Sequence, residues 1–386
     1  MISFKYNKNN SYIPIFLFLL AGILWRTSLY IVSLYVAIPL LIVFCIIFYY
    51  KDFFNKKYSY LYLFVLFWMF LSSLVNPHDA ALDEIIPIIA SYLLSFSIYS
   101  IAYRNNKYNG IFLTYIALFA FLMYMNITSE NFTSNFSYSN ELERMNNNIL
   151  NANEFAYYSL YAIMSIGILI HTVRYKIRPI YILAIYCICG YISLYIALMT
   201  ASRQVLALNI PMLILFSYID FFKNGGNKRN IVILLGAMII ILLLPYMQNM
   251  INDSYLATRS EVGFQDDVRN YILIEAIYQG FDNPMFGLGL GAKTFFSHCT
   301  YTHILSRCGF PAAIGFIILI IKCLWEQFKR YRITKKINFL LYFFCISIIF
   351  VGHFLYSYID QPFLMPIMFA IIGISDREFK ILKQSI

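Results

Sequence analysis

Residues 287–309, GLGLGAKTFFSHCTYTHILSRCG, gather chemically capable side chains in a chain that is otherwise largely apolar. Two of the five histidines, His298 and His303, lie here with Lys293 and Arg307. An imidazole titrates near neutral pH, so either histidine can take a proton from an attacking hydroxyl. A lone histidine also serves as a structural hydrogen-bonder, and that is the ordinary role for each. The spacing of five sets them on different helix faces, which argues against paired metal ligation at i, i+4. Gly287, Gly289 and Gly291 allow backbone amides to approach a phosphate; in a membrane, close helix packing is their common use. No strand precedes them, so a dinucleotide-binding fingerprint is excluded.

The second group is a set of arginines: Arg144, Arg203, Arg259, Arg269 and Arg307. A guanidinium offers a planar fork of donors matched to phosphate and carboxylate oxygens, which an ammonium does not. Arg203, in ALMTASRQVLALNIP (197–211), stands where one apolar run turns into the next. A charge at such a rim is a functional hypothesis by default, with snorkelling to the interface as its alternative. Arg269 opens VRNYILIEAIYQGF (268–281), whose apolar spacing predicts an amphipathic helix over 268–280. It is too short to cross a bilayer and suits the membrane surface.

These residues have to be positioned by membrane helices. Of 386 residues 61% are hydrophobic and 12% charged, and the mean hydropathy is +0.67. A soluble chain carries about a quarter charged residues, so a soluble enzyme is excluded. The 34 tyrosines and 36 phenylalanines fit wide aromatic belts at the interfaces. The seven cysteines show no CxxC pair, so neither a zinc site nor a disulfide scaffold is indicated. The polar N-terminal segment does not resemble a cleavable signal.

Apolar runs of about 20 residues match the hydrocarbon thickness. Twelve approach that length, at 12–26, 29–50, 58–75, 85–103, 110–127, 153–171, 180–199, 203–222, 230–249, 304–325, 337–357 and 361–375. The expected fold is therefore an all-α polytopic bundle of about twelve spans in one integral membrane domain. With the N-terminus placed in the cytoplasm, inner segments hold 22 Lys and Arg against 5 acids, and outer segments 7 against 14. Positive residues stay inside, so both termini are expected there. That asymmetry accounts for the basic pI without nucleic acid. Inner connections are short, the longest being 326–336, whereas two outer loops are long, 128–152 and 251–303. The second, between spans nine and ten, is expected to be partly helical and to carry the site. The outer cations are mostly arginine. Some are expected to pair with outer acids; as a set they suit an anionic ligand on the outer face.

NPMFGLGLGAKTFFSHCTYTHILSRCGFPAAIGF (283–316) resembles the signature of the O-antigen ligase and O-antigen polymerase superfamily of bacterial membrane proteins. In that pattern the histidine stands eleven residues before a glycine, which selects His298 before Gly309. TASRQ resembles the family's Thr-x-Ser-Arg element at Arg203. The Arg-led segment before the glycines matches Arg269, and ERMNNNILNANEFAYYS (143–159) matches Arg144 and, more loosely, Asn153. The likeness covers roughly residues 140–320. Cys299 stands where Asn or Ser is common, and Arg307 where an acid is common.

The resemblance implies a metal-independent, inverting glycosyltransferase of the bacterial inner membrane. Its donor is an undecaprenyl-diphosphate-linked oligosaccharide on the periplasmic face. His298 would be the base, and Arg203, Arg269, Arg144 and the three glycines would hold diphosphate or glycan. His303, Arg259, Arg307 and Asn153 are secondary candidates. No cofactor is expected; the lipid bilayer and a chain-length regulator protein are further candidate partners. A polymerase of surface polysaccharide (O-antigen or capsule) is the leading expectation, with a ligase that transfers glycan to lipid A core as the alternative. A twelve-span transporter or flippase fits less well, because the connection between spans six and seven, TVRYKIRP, is short and the long loops lie outside.

Overall fold

The computed structural model describes residues 11–53, 56–128, 152–200, 203–222, 268–292, 297, 299–355, 357 and 361–385. Every regular element among them is helical. In chain order these are α1 (Ile13–Trp25), α2 (Tyr30–Phe53, with a π turn at Ser33–Ala37), α3 (Lys56–Val75), α4 (Ala81–Arg104), α5 (Asn109–Thr128), α6 (Ala152–Val173), α7 (Pro179–Thr200), α8 (Arg203–Ser217), α9 (Val268–Asp282), α10 (Thr300–Thr334), α11 (Ile337–Leu355) and α12 (Pro366–Ser385). Among the described residues seven helices are long and apolar enough to cross a membrane: α2, α3, α4, α6, α7, α10 and α11. Three shorter apolar segments, Ile13–Trp25, Asn109–Met125 and Leu206–Asp220, accompany them. The chain is thus a multi-pass protein of the lipid bilayer, all-helical in its described residues. The expected span 230–249 lies outside the described residues.

The helices form two compact units. The first comprises residues 1–25, 29–111 and 265–386. At its centre α4 packs against α2 and α12. Helix α4 is serine-rich, and burial of those hydroxyls is tolerated because they bond back along the helix. Ser95, Ser97 and Ser100 donate to the carbonyls of Ser91, Leu93 and Phe96 at 2.8, 2.9 and 2.8 Å. Gly373 of α12 lies so near the Tyr99 carbonyl that a side chain would collide with it. That close approach is the usual reward of small residues between membrane helices. At the end of α4 Arg104 makes a two-pronged pair with Asp52 of α2, its second prong 3.1 Å long.

Two expectations change here. The basic stretch 326–336 is not a loop, because α10 continues to Thr334 and only Lys335 and Lys336 connect it to α11. The reason is amphipathic spacing: Gln327 and Arg330 turn inward, Arg330 to Ser375 (2.7 Å) and Asp376, while intervening charges face outward. The last helix begins at Pro366 and runs ten residues beyond the expected span end, to Ser385. Its apolar part is entirely buried, and its charged part carries on in helix.

The second unit comprises residues 26–28 and 112–264. Asn209 of α8 donates to Ser159 of α6 (3.2 Å) and Ser193 of α7 (3.1 Å), a buried polar clamp across three helices. Gly167 of α6 lies against the Phe216 ring of α8, where any side chain would overlap it. Asp220 accepts from Tyr186 at 2.6 Å and meets the His171 ring at 2.9 Å.

Candidate functional site

The sealed break in α10 is the local feature that organises the site. This 35-residue helix is interrupted at Gly309, whose φ of 77° and ψ of 178° belong to a region essentially restricted to glycine. In an unbroken helix the carbonyls of Ser306 and Arg307 would accept from the amides four residues on. Those are Phe310, turned away by the break, and Pro311, which has no N–H. Buried carbonyls need partners. The glycine loop supplies them: Leu288 N–H donates to the Ser306 carbonyl at 2.8 Å and Gly289 N–H to that of Arg307 at 2.9 Å. In return Phe310 N–H donates to the Pro284 carbonyl at 2.8 Å.

This arrangement explains the glycines. Gly287 has φ of 61° and lies on the Arg307–Cys308 peptide, so a Cβ there would overlap main chain. Gly289 and Gly291 approach Asn76 and Ala80–Ala81 in the same way. The Gly287 amide donates to Asn283 at 2.9 Å, so the amides of residues 287, 288 and 289 are all engaged by carbonyls of the chain itself. Close packing onto a broken helix is what these glycines do in this structure.

The other face of the loop rests on the end of α3 and the turn that follows it. Trp68 Nε1 donates to the Met285 carbonyl (2.8 Å), and its ring stacks on Phe286 with centroids 5.5 Å apart. Ser72 Oγ lies against the carbonyls of Phe286 and Arg307, 2.8 Å from the latter. Asn76 Nδ2 donates to the Gly287 carbonyl at 2.7 Å. His78 Nε2 lies 2.7 Å from the Leu288 carbonyl. A carbonyl only accepts, so Nε2 carries the proton and Nδ1 is left with the lone pair in the neutral ring. Sequence reasoning missed this turn, NPHDAALDE (76–84). Its signal was present: Asn-Pro ending an apolar run, followed by a histidine and three carboxylates.

Of the residues expected to carry chemistry, His298, Arg144 and Arg259 lie outside the described residues, as does Lys293. Arg203, Arg269 and Asn153 are described by backbone alone: Arg203 opens α8, and Arg269 and Asn153 are second in α9 and α6. The amphipathic helix expected over 268–280 is α9, and it runs to Asp282. His303 and Arg307 stand one turn apart in the first segment of α10, each 3% exposed. The His303 amide donates to the Cys299 carbonyl at 2.9 Å, and its own carbonyl accepts from Ser306 Oγ at 3.2 Å. Arg307 Nη1 donates to the Ala292 carbonyl at the end of the glycine loop. The Glu84 carboxylate lies within electrostatic reach of that guanidinium. Yet Arg307 Nε and Glu84 Oε2 are both buried without a hydrogen-bond partner among the described residues.

Beside the loop, a cavity of about 420 Å³ opens between α3 and α4. Leu63, Phe67 and Phe70 line one side, Ile85 and Ile89 the other, and Leu290 of the glycine loop completes the apolar wall. Its size falls in the ordinary range for ligand pockets, and its lining suits hydrocarbon. No family model matches the chain, and no curated protein matches it.

Proposed function

We propose that this protein is a bacterial surface-polysaccharide polymerase of the inner membrane, joining oligosaccharide repeat units carried on undecaprenyl diphosphate. One observation carries the reading. Residues 283–292 and 299–316, which belong to the stretch bearing the family-like pattern, interlock as a loop and a discontinuous helix, with the pattern's glycine, Gly309, at the break. Interrupted helices with buried charge are where membrane proteins build polar sites. Here the break keeps Arg307 and the outer turn around one loop. The neighbouring apolar cavity suits a polyprenyl tail.

In this reading the glycine-rich motif faces the periplasm, both termini are cytoplasmic and about twelve spans cross the membrane. A sugar hydroxyl of one lipid-linked unit attacks the anomeric carbon of another. The new C–O bond forms as the bond to diphosphate breaks, with inversion. His298 takes the hydroxyl proton. Arg203, Arg269 and Arg144 bind the diphosphate, which is already a good leaving group and departs with the electron pair.

The test is chain growth in membranes containing the protein and supplied with purified lipid-linked repeat units. A ladder of lengthening glycans, undiminished by a metal chelator, is expected. Transfer to lipid A core in place of chain growth would reassign the protein as a ligase. Absence of any transfer would overturn the reading.

A further inference from the structure

The glycine loop and the turn before α4 meet in an arrangement of charges unsuited to a diphosphate. The turn and first helical residues carry Asp79, Asp83 and Glu84. Asp79 and Asp83 are exposed, whereas Glu84 lies within electrostatic reach of Arg307, whose Nη1 is bonded to the loop at Ala292. A diphosphate placed here would meet the like charge of Glu84. The local hydrogen-bonding capacity is of another kind. Arg307 Nε is a buried donor and Glu84 Oε2 a buried acceptor, both without partners among the described residues. His78 adds a third group, its ring held by the Leu288 carbonyl so that Nδ1 presents a lone pair.

Unsatisfied buried polar atoms in a folded protein call for an explanation. A hydroxyl both accepts and donates, so neighbouring hydroxyls on a sugar can accept from Arg307 Nε and donate to Glu84 Oε2 and His78 Nδ1. We propose that Glu84, Arg307 and His78 form a binding subsite for the hydroxyls of an uncharged sugar. In the transferase reading, on which the assignment to the acceptor rests, the acceptor glycan binds at the glycine loop and the diphosphate binds elsewhere. Arg307 is placed for this by the break in α10, and Glu84 by starting α4 beside the loop.

Two substitutions preserve the fold while removing one bond each. Glu84→Gln keeps size and loses the charged acceptor. Arg307→Lys keeps the cation and its reach toward Ala292 but loses the Nε donor. In the full-length protein the KM for the acceptor lipid-linked unit should rise on the order of 10- to 100-fold in each, the value of a hydrogen bond to a charged group. Affinity for undecaprenyl diphosphate itself should stay unchanged. A separate calorimetric titration uses the repeat-unit oligosaccharide freed of its diphosphate: the wild type should bind it, and both variants should bind it more weakly. If neither variant weakens oligosaccharide binding, if the wild type does not bind it, or if affinity for undecaprenyl diphosphate follows these substitutions, the subsite is overturned. Oligosaccharide binding that depends on Glu84 and Arg307, in a protein that transfers nothing, would instead sink the transferase reading alone.

Discussion

Arg26 Nη1 meets Glu154 Oε2 at 2.8 Å in the interior of the second unit, each side chain less than a tenth exposed. The Tyr158 hydroxyl accepts from Arg26 Nε and Nη2 at 3.2 and 3.1 Å, and its ring lies 5.1 Å from the guanidinium carbon. Removing two charges from water is costly, and the pair persists because its hydrogen bonds are largely met. In this arrangement Arg26 is a structural arginine, matched to an acid one residue from Asn153.

Breaking that pair should therefore be more harmful than replacing it. Glu154→Ala removes the carboxylate that pairs with a buried cation and should destabilise the protein by about 3–5 kcal/mol. The double variant Arg26→Met, Glu154→Leu removes both charges and should recover most of that loss. Thermal unfolding of the detergent-solubilised protein measures both. A Glu154→Ala protein that melts with the wild type would show the pair to be of little consequence.

The seal on α10 gives a second expectation. Gly309→Ala forces a Cβ into a backbone region that costs about 1–3 kcal/mol, and the new atom also collides with the Met285 and Pro284 carbonyls. Gly287→Ala meets the Arg307–Cys308 peptide in the same way. Both variants should unfold at lower temperature and lose activity together, whereas Gly110→Ala has the Ile15 side chain rather than main chain as its nearest neighbour and should be milder. Equal melting temperatures for all three would mean that the loop does not hold the break together.

Helix positions were legible because hydrophobic runs and amphipathic spacing are local properties. The run at 85–103 became the middle of α4, and the 268–280 pattern became α9. The role of the glycines was not legible. They were visible as a turn, but what they pack against is set by Pro311 lacking an N–H and by Trp68, Ser72 and Asn76, more than 200 residues away in sequence. Glu84 escaped notice for a related reason: as one acid at the edge of an apolar run it looks like a solvated helix start. Only its proximity to buried Arg307 gives it weight. The basic segment 326–336 misled because charge suggested a loop, when two of its polar residues were turning inward.

The arginines that open α8 and α9 carry a chemical expectation. If Arg203 and Arg269 bind diphosphate through two parallel hydrogen bonds, a lysine cannot stand in for either. Arg→Lys should then be nearly as damaging as Arg→Ala in the chain-growth assay, with expression and melting unchanged. Wild-type growth in a lysine variant would leave that residue with a purely structural charge.

Orientation is open to a direct measurement. A reporter inserted within 128–152 or 253–298 should register as periplasmic, and one fused to either terminus as cytoplasmic. Cytoplasmic labelling of either long loop would put the base, in 251–303, or a diphosphate-binding arginine, in 128–152, on the wrong side of the membrane and end the mechanism.

The proposed mechanism makes His298 the base and leaves His303 a structural role. His303 is 3% exposed, sits in the first turn of α10, and bears on Arg307 one turn further along. A side chain in that setting contributes mainly to packing and local electrostatics. His303→Ala should lower the melting temperature, as truncation of a buried side chain does, and reduce chain growth only in proportion to the protein lost. His298→Ala should do the reverse: normal insertion, melting and undecaprenyl diphosphate affinity, with the rate of chain growth reduced about 10²–10⁴-fold. The two readouts together prevent a folding defect from passing for a chemical one. Loss of chain growth in a well-folded His303→Ala protein, with His298→Ala still active, would move the base five residues along the sequence. If both variants stay active, the proton must go to a carboxylate, and Asp266, Asp267 and Glu275 on the same outer segment become the residues to substitute next. Glu84 would join them, because in the proposed subsite its carboxylate accepts from a hydroxyl of the acceptor.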